Sequence, residues 1–390
     1  MKILFYRYGS ICEPDYLEAF QKLNIEVVEE KSEISNKNIT PAQCVELVSK
    51  VLEVHNPVFV FSINFYPAIA KVCNLYRTAY LCQTVDSPVA ELFMDAIKLD
   101  TNRIFLFDKA QYQLFSKYNK EHIYHLPLAS AVERFDKVIC SINEKDRKKF
   151  ENDISFVGSL YTEKNPLHKI KDLSEYAKGY IKGIVEASMM LPGYNLIEDA
   201  LSNEVIEEIR EKQSDFFSAV NLVAGWDRYL AAHEYVGMQV SEEERIRTLN
   251  TLAQFFDVHL YTRSDSRRLK NVRIHEGIRT LDEMPKAFHL SKINLNITIK
   301  PIQTGLPLRV FDILGCGGFL MTNYQQELTE IFTVGEDLEC YGSIEELVEK
   351  CDYYLKHEDE RIRIAVTGYE KVKKYHTYTH RIASMLRTIT

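Results

Sequence analysis

Short apolar runs alternate along this chain with stretches long enough for a helix, and that alternation limits the folds open to it. In the first third the runs are Ile3–Tyr6, Val58–Phe61, Tyr80–Cys82, Ile104–Phe107 and Ile123–Leu126, each followed by polar or turn residues. Asp15–Leu23, Pro41–Val54 and Pro88–Leu99 lie between them and are of helical length. A strand that is apolar throughout must be buried on both faces, as in a parallel sheet covered by helices, and such sheets bind ligands beyond the carboxyl ends of their strands. The same signals return at Ile154–Val157, Val258–Thr262, Val272–Ile274, Ile293–Ile297 and Gly318–Thr322. The expected class is therefore α/β, with two Rossmann-like domains facing across a cleft, an arrangement suited to a reaction between two separately held substrates.

Ser141–Lys149 is polar, charge-dense and aperiodic, so the join is expected there, after an N-terminal domain of residues 1–145. The second domain then covers residues 150–375, with a largely helical insertion at about 165–256 that is too long for one crossover helix. Within it, Ser241 and Glu244 have capping-box spacing ahead of an apolar face of Ile246, Leu249, Leu252, Ala253 and Phe256. Residues 376–390 are expected to form a helix returning to the first domain.

The chemistry concentrates in Gln303–Asn323. Pro307 suits the first turn of a helix running to Leu314 and stopping at Gly315, and the start of such a helix offers unpaired N–H groups to an anion. Arg309 lies in that first turn, and Asp312 follows three residues later on the same face. A phosphate at the helix start and a diol on Asp312 would fit a nucleotide's pyrophosphate and ribose. Equally, Gly315, Gly317 and Gly318 could only let the helix turn tightly into the next strand, with Asp312 facing solvent.

Ile293–Thr298, Gly305–Gly318, Phe319–Asn323, Tyr353–Leu355, Glu360-Arg361, Ile364-Ala365 and His376–Arg381 resemble the C-terminal half of the CgeB-like (spore maturation) glycosyltransferases, distant relatives of the family-4 group with the GT-B fold. Looser similarity includes Ile154–Ser159 and Asp86–Pro88 and leaves out about 165–240. The resemblance implies a hexosyltransferase acting on a nucleotide sugar, UDP-linked in expectation, and an acceptor hydroxyl on a spore, flagellar or surface-layer protein or glycan. It also places Asp312 on the donor ribose and Gly158 and Gly305 beside the pyrophosphate, so that Gly158, Ser159, Thr304, Gly305, Leu306, Arg309 and Asp312 form the donor site. Family-4 enzymes carry a second acidic residue eight positions before the ribose carboxylate; here that position is Thr304, which leaves the stereochemistry of transfer open.

Other positions have two readings. Arg263, after the strand ending at Thr262, would reach a diphosphate from a strand end or simply lie in a solvated basic loop. His275, in His275-Glu-Gly277, sits where related folds hold the base through the backbone, or in a plain turn. Asp86 and Asp108 are the candidate catalytic bases for an acceptor, although each also sits at a helix start where a capping role is expected. The 23 tyrosines and 20 phenylalanines supply faces for a sugar, though most should fill the core.

Absences narrow the field. No Asp-x-Asp occurs, which argues against diphosphate held by a divalent metal, and no metal or other cofactor is expected. No Gly-x-Gly-x-x-Gly follows the first strand and no Gly-Lys-Ser/Thr exists, against a dinucleotide enzyme or a P-loop kinase. A net charge of −8 offers no global attraction to nucleic acid or anionic lipid. The first apolar run ends at Arg7, too soon for a secretory signal, and no run is long enough to span a bilayer. Eight scattered cysteines without a Cys-x-x-Cys fit reduced thiols, and a cytoplasmic location is expected. The alternatives are a nucleotide-sugar-binding structural or maturation protein without turnover, and a GT-B-shaped nucleotide-sugar epimerase.

Overall fold

The computed structural model describes residues 1–191, 193–214, 216–217, 219 and 222–389. They divide into two compact units, one of Met1–Ala129, Ser218–Trp226 and His376–Thr390, the other of Ser130–Phe217 and Asp227–Tyr375.

The first unit is built on a six-stranded parallel sheet of β1 (Lys2–Tyr6), β2 (Glu26–Glu30), β3 (Phe59–Ile63), β4 (Ala79–Gln83), β5 (Asn102–Leu106) and β6 (Ile123–His125), in the order β2-β1-β3-β4-β5-β6. All five residues of β3 are buried, Ser62 included, as a central strand covered on both faces requires. Phe5, Tyr16, Phe20 and Phe61 pack edge-on or tilted at 4.9–6.5 Å to seat the helix Glu13–Lys22 on the sheet. The strand β2, Glu-Val-Val-Glu-Glu, escapes an apolar-run search because an edge strand need not be apolar on both faces.

The second unit repeats the plan with β7 (Ile154–Val157), β8 (Val258–Thr262), β9 (Arg273–Glu276), β10 (Ile293–Asn296), β11 (Leu320–Asn323) and β12 (Glu339–Tyr341), ordered β12-β11-β10-β7-β8-β9 and parallel throughout. Its core draws Ile154, Phe156, Leu260, Leu295 and Met321 from the sheet and Leu249, Leu252, Leu347 and Ile364 from the covering helices. In each unit the strand order reverses beside the first strand, so crevices open at the carboxyl ends of β1 and β3 and of β7 and β10.

Several expectations need correction. Pro88–Leu99 is not one helix but two 3₁₀ turns, Ala90–Phe93 and Asp95–Lys98. Ser141–Lys149 is no free connection: Asn143 accepts the N–H groups of Lys145 and Asp146 and caps a helix Glu144–Phe150 whose last residue is buried, and this helix belongs to the second unit, which begins at Ser130. Ser241 caps nothing, because Trp226–Leu230, a π-helical Ala231–Val236 and Gly237–Leu252 run on continuously, and its hydroxyl donates back to the Gly237 carbonyl at 2.7 Å. The apolar face expected after it is real, with Ile246, Leu249 and Leu252 buried.

The insertion carries the helices Glu175–Met190, Ile197–Ala200 and Asn203–Lys212. A piece of it is part of the first unit, where the Val223 N–H donates to the Phe93 carbonyl at 2.8 Å. So is the helix Tyr378–Leu386, which packs on Glu13–Lys22 with Tyr378 edge-on to Tyr16 at 4.8 Å and Arg381 donating to the carbonyls of Pro127 and Leu128. Among the described residues, no helix is long and apolar enough to cross a membrane.

Candidate functional site

The crevice of the second unit lies between the loop after β7, starting at Gly158, and the segment after β10 that leads into the helix Leu308–Gly315. Pro307 takes the extended cap position one residue before the helix, and Val310 N–H turns back to the Pro307 carbonyl at 3.0 Å. Among the described residues no acceptor is bonded to the N–H groups of Leu308 and Arg309. These are the orphan donors of a helix start, directed where an anion is favoured. Asp312 lies one turn on, 7% exposed, with Oδ2 3.6 Å from the Arg309 guanidinium, so the two share the helix face that their spacing requires. The Arg309 guanidinium lies over the Phe288 ring at 5.0 Å and beside the Met284 sulfur. Burial lowers its pKa, opposed by Asp312.

The loop after β7 is held from beneath. A Cβ on Gly158 would meet the Phe156 ring at 3.4 Å, an ordinary van der Waals contact. The Ser159 hydroxyl is committed to its own loop: it accepts from Tyr161 N–H at 2.8 Å and lies 3.0 Å from Glu163 and 3.1 Å from the Ser264 hydroxyl. Ser159 is thus a loop-former through its side chain. Tyr161 adopts φ +68°, a strained conformation for a bulky residue. Beneath this turn runs Arg245, from Gly237–Leu252, which donates to the Ser159 carbonyl at 2.6 Å and to the Ile297 carbonyl at 2.6 Å. Its guanidinium lies 5.3 Å from the Phe156 ring and 4.7 Å from that of Tyr161.

The remaining expected donor residues are scattered. Arg263 stands exposed after β8, its side chain lying so close over Gly277 that a Cβ there would come within 2.6 Å of it. His275 is turned onto the face of the sheet, stacked on Tyr261 at 4.7 Å and on His259 at 5.0 Å, so only its backbone can serve a base at the strand end. Burial and the neighbouring His259 lower its pKa. Thr304 donates its hydroxyl to the buried Glu327 carboxylate at 2.8 Å and accepts the Glu327 N–H on its carbonyl, so an acidic group stands beside the position where the family pattern has a carboxylate and this chain has threonine. Gly305 and Leu306 are buried in the turn before Pro307. The glycine cluster at the other end of the helix is a packing device: a Cβ on Gly318 would lie 2.6 Å from the Phe288 carbonyl oxygen.

In the first unit the corresponding turn is filled by the protein itself. Glu13, 1% exposed, accepts the N–H groups of Tyr8, Gly9 and Ser10 at 2.9, 2.7 and 3.0 Å on one oxygen and Arg7 Nε at 2.9 Å on the other. A nest of amides at the start of a helix after the first strand is a phosphate cradle, and here a side-chain carboxylate occupies it. The neighbouring strand ends hold Asp86, exposed, which takes the Asn64 amide on Oδ2 at 2.7 Å; Asn64, at φ +60°, also reaches the Tyr8 hydroxyl at 3.3 Å and accepts Val85 N–H. Asp86 caps no helix. Asp108 does: fully buried, it accepts Ala110 N–H at 2.9 Å at the start of Lys109–Phe115, the capping role expected of its place at a helix start.

Arg245, Glu327 and Glu13 were not singled out from the sequence. The first lies on the helical insertion, far in sequence from the strand ends it bridges, and the other two acquire their surroundings only through tertiary burial.

A family model described as "Glycosyl transferase-like" matches residues 242–387, which is less than half of the chain. No curated protein matches. Among solved structures, the N-terminal domain of Candida albicans trehalose-6-phosphate phosphatase is similar over 99% of this chain and 97% of that one, at 11% identity and a TM-score of 0.53. A glycosyltransferase from Rickettsia africae is similar over 100% and 97%, at 10% identity and a TM-score of 0.52. Anabaena HepE in complex with UDP-glucose is similar over 100% and 99%, at 14% identity and a TM-score of 0.50. At such identities the likeness is one of fold. The chain has the two-sheet α/β architecture of the GT-B glycosyltransferases, and its C-terminal part carries a glycosyl transferase-like sequence.

Proposed function

We propose that this protein is a glycosyltransferase that binds a nucleotide sugar, UDP-linked by preference, in the second unit and passes a hexosyl group to an acceptor hydroxyl on a protein or glycan. The observation that carries this reading is the helix Leu308–Gly315, with acceptor-free N–H groups at its start and a carboxylate one turn along, set beside the strand-order reversal. A diphosphate at the helix start and a ribose on Asp312 match those two chemistries and their spacing. The resemblance to CgeB-like enzymes, and UDP-glucose in Anabaena HepE, support the same choice of ligand.

In this reading the leaving diphosphate is stabilised by helix amides and arginine charge rather than by a metal. The acceptor hydroxyl attacks the anomeric carbon, the bond from that carbon to the β-phosphate oxygen breaks, and the departing UDP keeps the electron pair. The acceptor's proton passes to Asp86, which Asn64 orients, giving the first unit the acceptor role. The filled turn at Glu13 supports this division, since it leaves that unit no open cradle after β1.

A thermal-shift panel of nucleotide sugars tests the reading. The cognate donor at 100 times its Kd should stabilise the protein by about 2.7 kcal/mol. UDP should be released on addition of acceptor, and Asp312→Ala should weaken UDP binding at least tenfold. Binding without release would leave a binding protein, a changed donor without acceptor would mean epimerisation, and an unaltered UDP affinity in Asp312→Ala would overturn the site.

A further inference from the structure

The helical insertion also closes a polar cavity of about 60 Å³ over the carboxyl ends of β10, β11 and β12. Its walls include Ser188 and Met189 near the end of Glu175–Met190, Glu244 on Gly237–Leu252, and Lys300, Tyr324 and Tyr341 from the strand ends. No described residue of the loop after β7 or of Leu308–Gly315 lines it, so it lies outside the donor crevice. Asn195 donates to the Lys300 carbonyl at 2.9 Å and Gln326 to the Gly193 carbonyl at 3.2 Å, which ties the insertion down over the strand ends. Gly193, at φ +70°, lets the chain pass against the Tyr324 ring, where a Cβ would clash.

Three oxygens of these walls have no hydrogen-bond partner among the described residues: Ser188 Oγ, Tyr341 Oη and Glu244 Oε2. Ser188 is 2% exposed and Tyr341 5%, and buried polar groups are seldom left unpaired. Burial and the nearby Glu244 raise the Tyr341 pKa, so its hydroxyl keeps a proton to donate. Lys300 Nζ stands 3.4 Å from Glu244 Oε2. The ammonium disfavours a metal cation here and the carboxylate disfavours a phosphate. A neutral molecule whose groups each donate and accept suits the set, as sugar hydroxyls do: they can donate to Glu244 and accept from Lys300, Tyr341 and Ser188. The space holds roughly four to six waters, room for one small solute of no more than a single sugar ring, and Met189 and Tyr324 add apolar surface for its C–H face.

We propose that this cavity is a saccharide site for one sugar ring, separate from the nucleotide-sugar site and independent of that reading. The ring is a free monosaccharide or the end residue of a glycan, which present the same hydroxyls. Bound there, it joins Ser188 and Glu244 of the insertion to Lys300 and Tyr341 of the sheet, so that the sugar fastens the insertion to the strand ends.

Calorimetric titration of the full chain with glucose, galactose, mannose and N-acetylglucosamine tests this, with glycerol and potassium chloride as controls. At least one sugar should bind tenfold or more tightly than glycerol, whether or not UDP is present. Tyr341→Phe should weaken that sugar at least threefold and Glu244→Gln at least tenfold, with UDP affinity unchanged in Tyr341→Phe. Because the Tyr341 hydroxyl has no partner among the described residues, Tyr341→Phe should not lower the urea midpoint of the sugar-free protein, which separates recognition from a structural role. The methyl glycoside of the bound sugar tells the sources apart: equal binding assigns the end of a glycan, and lost binding assigns the free sugar. Binding of none of the four sugars, glycerol binding as tightly, or displacement of the sugar by potassium would leave a water pocket or an ion site and overturn the proposal. Displacement by a UDP-sugar but not by UDP would put the cavity in the donor site and overturn it too. Should Glu244→Gln fail to fold, Tyr341→Phe decides: an unchanged sugar affinity overturns the assignment. A chain that binds the sugar but neither UDP nor UDP-glucose removes the donor reading and leaves this one standing.

Discussion

In the proposed reading, single carboxylates decide which half of this molecule holds a phosphate. Glu13 and Asp312 occupy comparable places, each on a helix beside the strand-order reversal of its sheet, yet Glu13 turns into the amide nest and Asp312 sits one turn beyond open amides. Glu13→Gln should therefore cost about 1.5–3 kcal/mol, the worth of charge-assisted hydrogen bonds, read as a lower urea midpoint, while leaving UDP affinity unchanged. Asp86→Asn should lower kcat by about 10²–10⁴ with donor affinity intact, as expected for a general base; an unaltered kcat would return Asp86 to a surface role. The relation between Arg309 and Asp312 was legible in their three-residue spacing. Glu13 and Arg245 were not, because nothing local distinguishes a buried carboxylate or guanidinium from an exposed one.

At the level of elements, the strands that are apolar on both faces were legible, and Ile154–Val157 and Val258–Thr262 end where the apolar runs end. The edge strands β2 and β12 were hidden by their glutamates, and Ser241 misled because a capping pattern inside a long helix is overridden by continuous backbone bonding and tertiary packing. The β8–β9 pair carries a pH-dependent element. His275 stacks on His259 and Tyr261, and its pKa lies below the histidine value of 6.5, so the unfolded chain binds the proton more readily than the folded one. The resulting stability is present above about pH 6.5 and falls as the solution is acidified through that value. Urea midpoints between pH 7.5 and 5 should decline less steeply in His275→Gln than in the wild type; parallel curves would show that this stack contributes nothing to the acid limb.

The whole chain is two α/β units sewn together unevenly, the first collecting segments from the beginning, the insertion and the end of the sequence. The repetition of the α/β plan was legible because each sheet needs the same apolar strands. Where the join falls was not, since Asn143 makes a capped helix out of a segment that is merely polar in composition. The C-terminal helix binds through Tyr378, Ile382 and Met385, all buried, and Tyr378→Ala should cost the first unit about 3 kcal/mol, measured by chemical denaturation.

The central claim is that the second unit, and not the first, receives the diphosphate. Amide hydrogen exchange of the full chain with and without UDP-glucose tests it most directly: slowed exchange at residues 306–312 and 158–161, with the amides of Tyr8, Gly9 and Ser10 unchanged, is the predicted result. Protection confined to residues 8–10, or absent from 306–312 at saturating ligand, would contradict it.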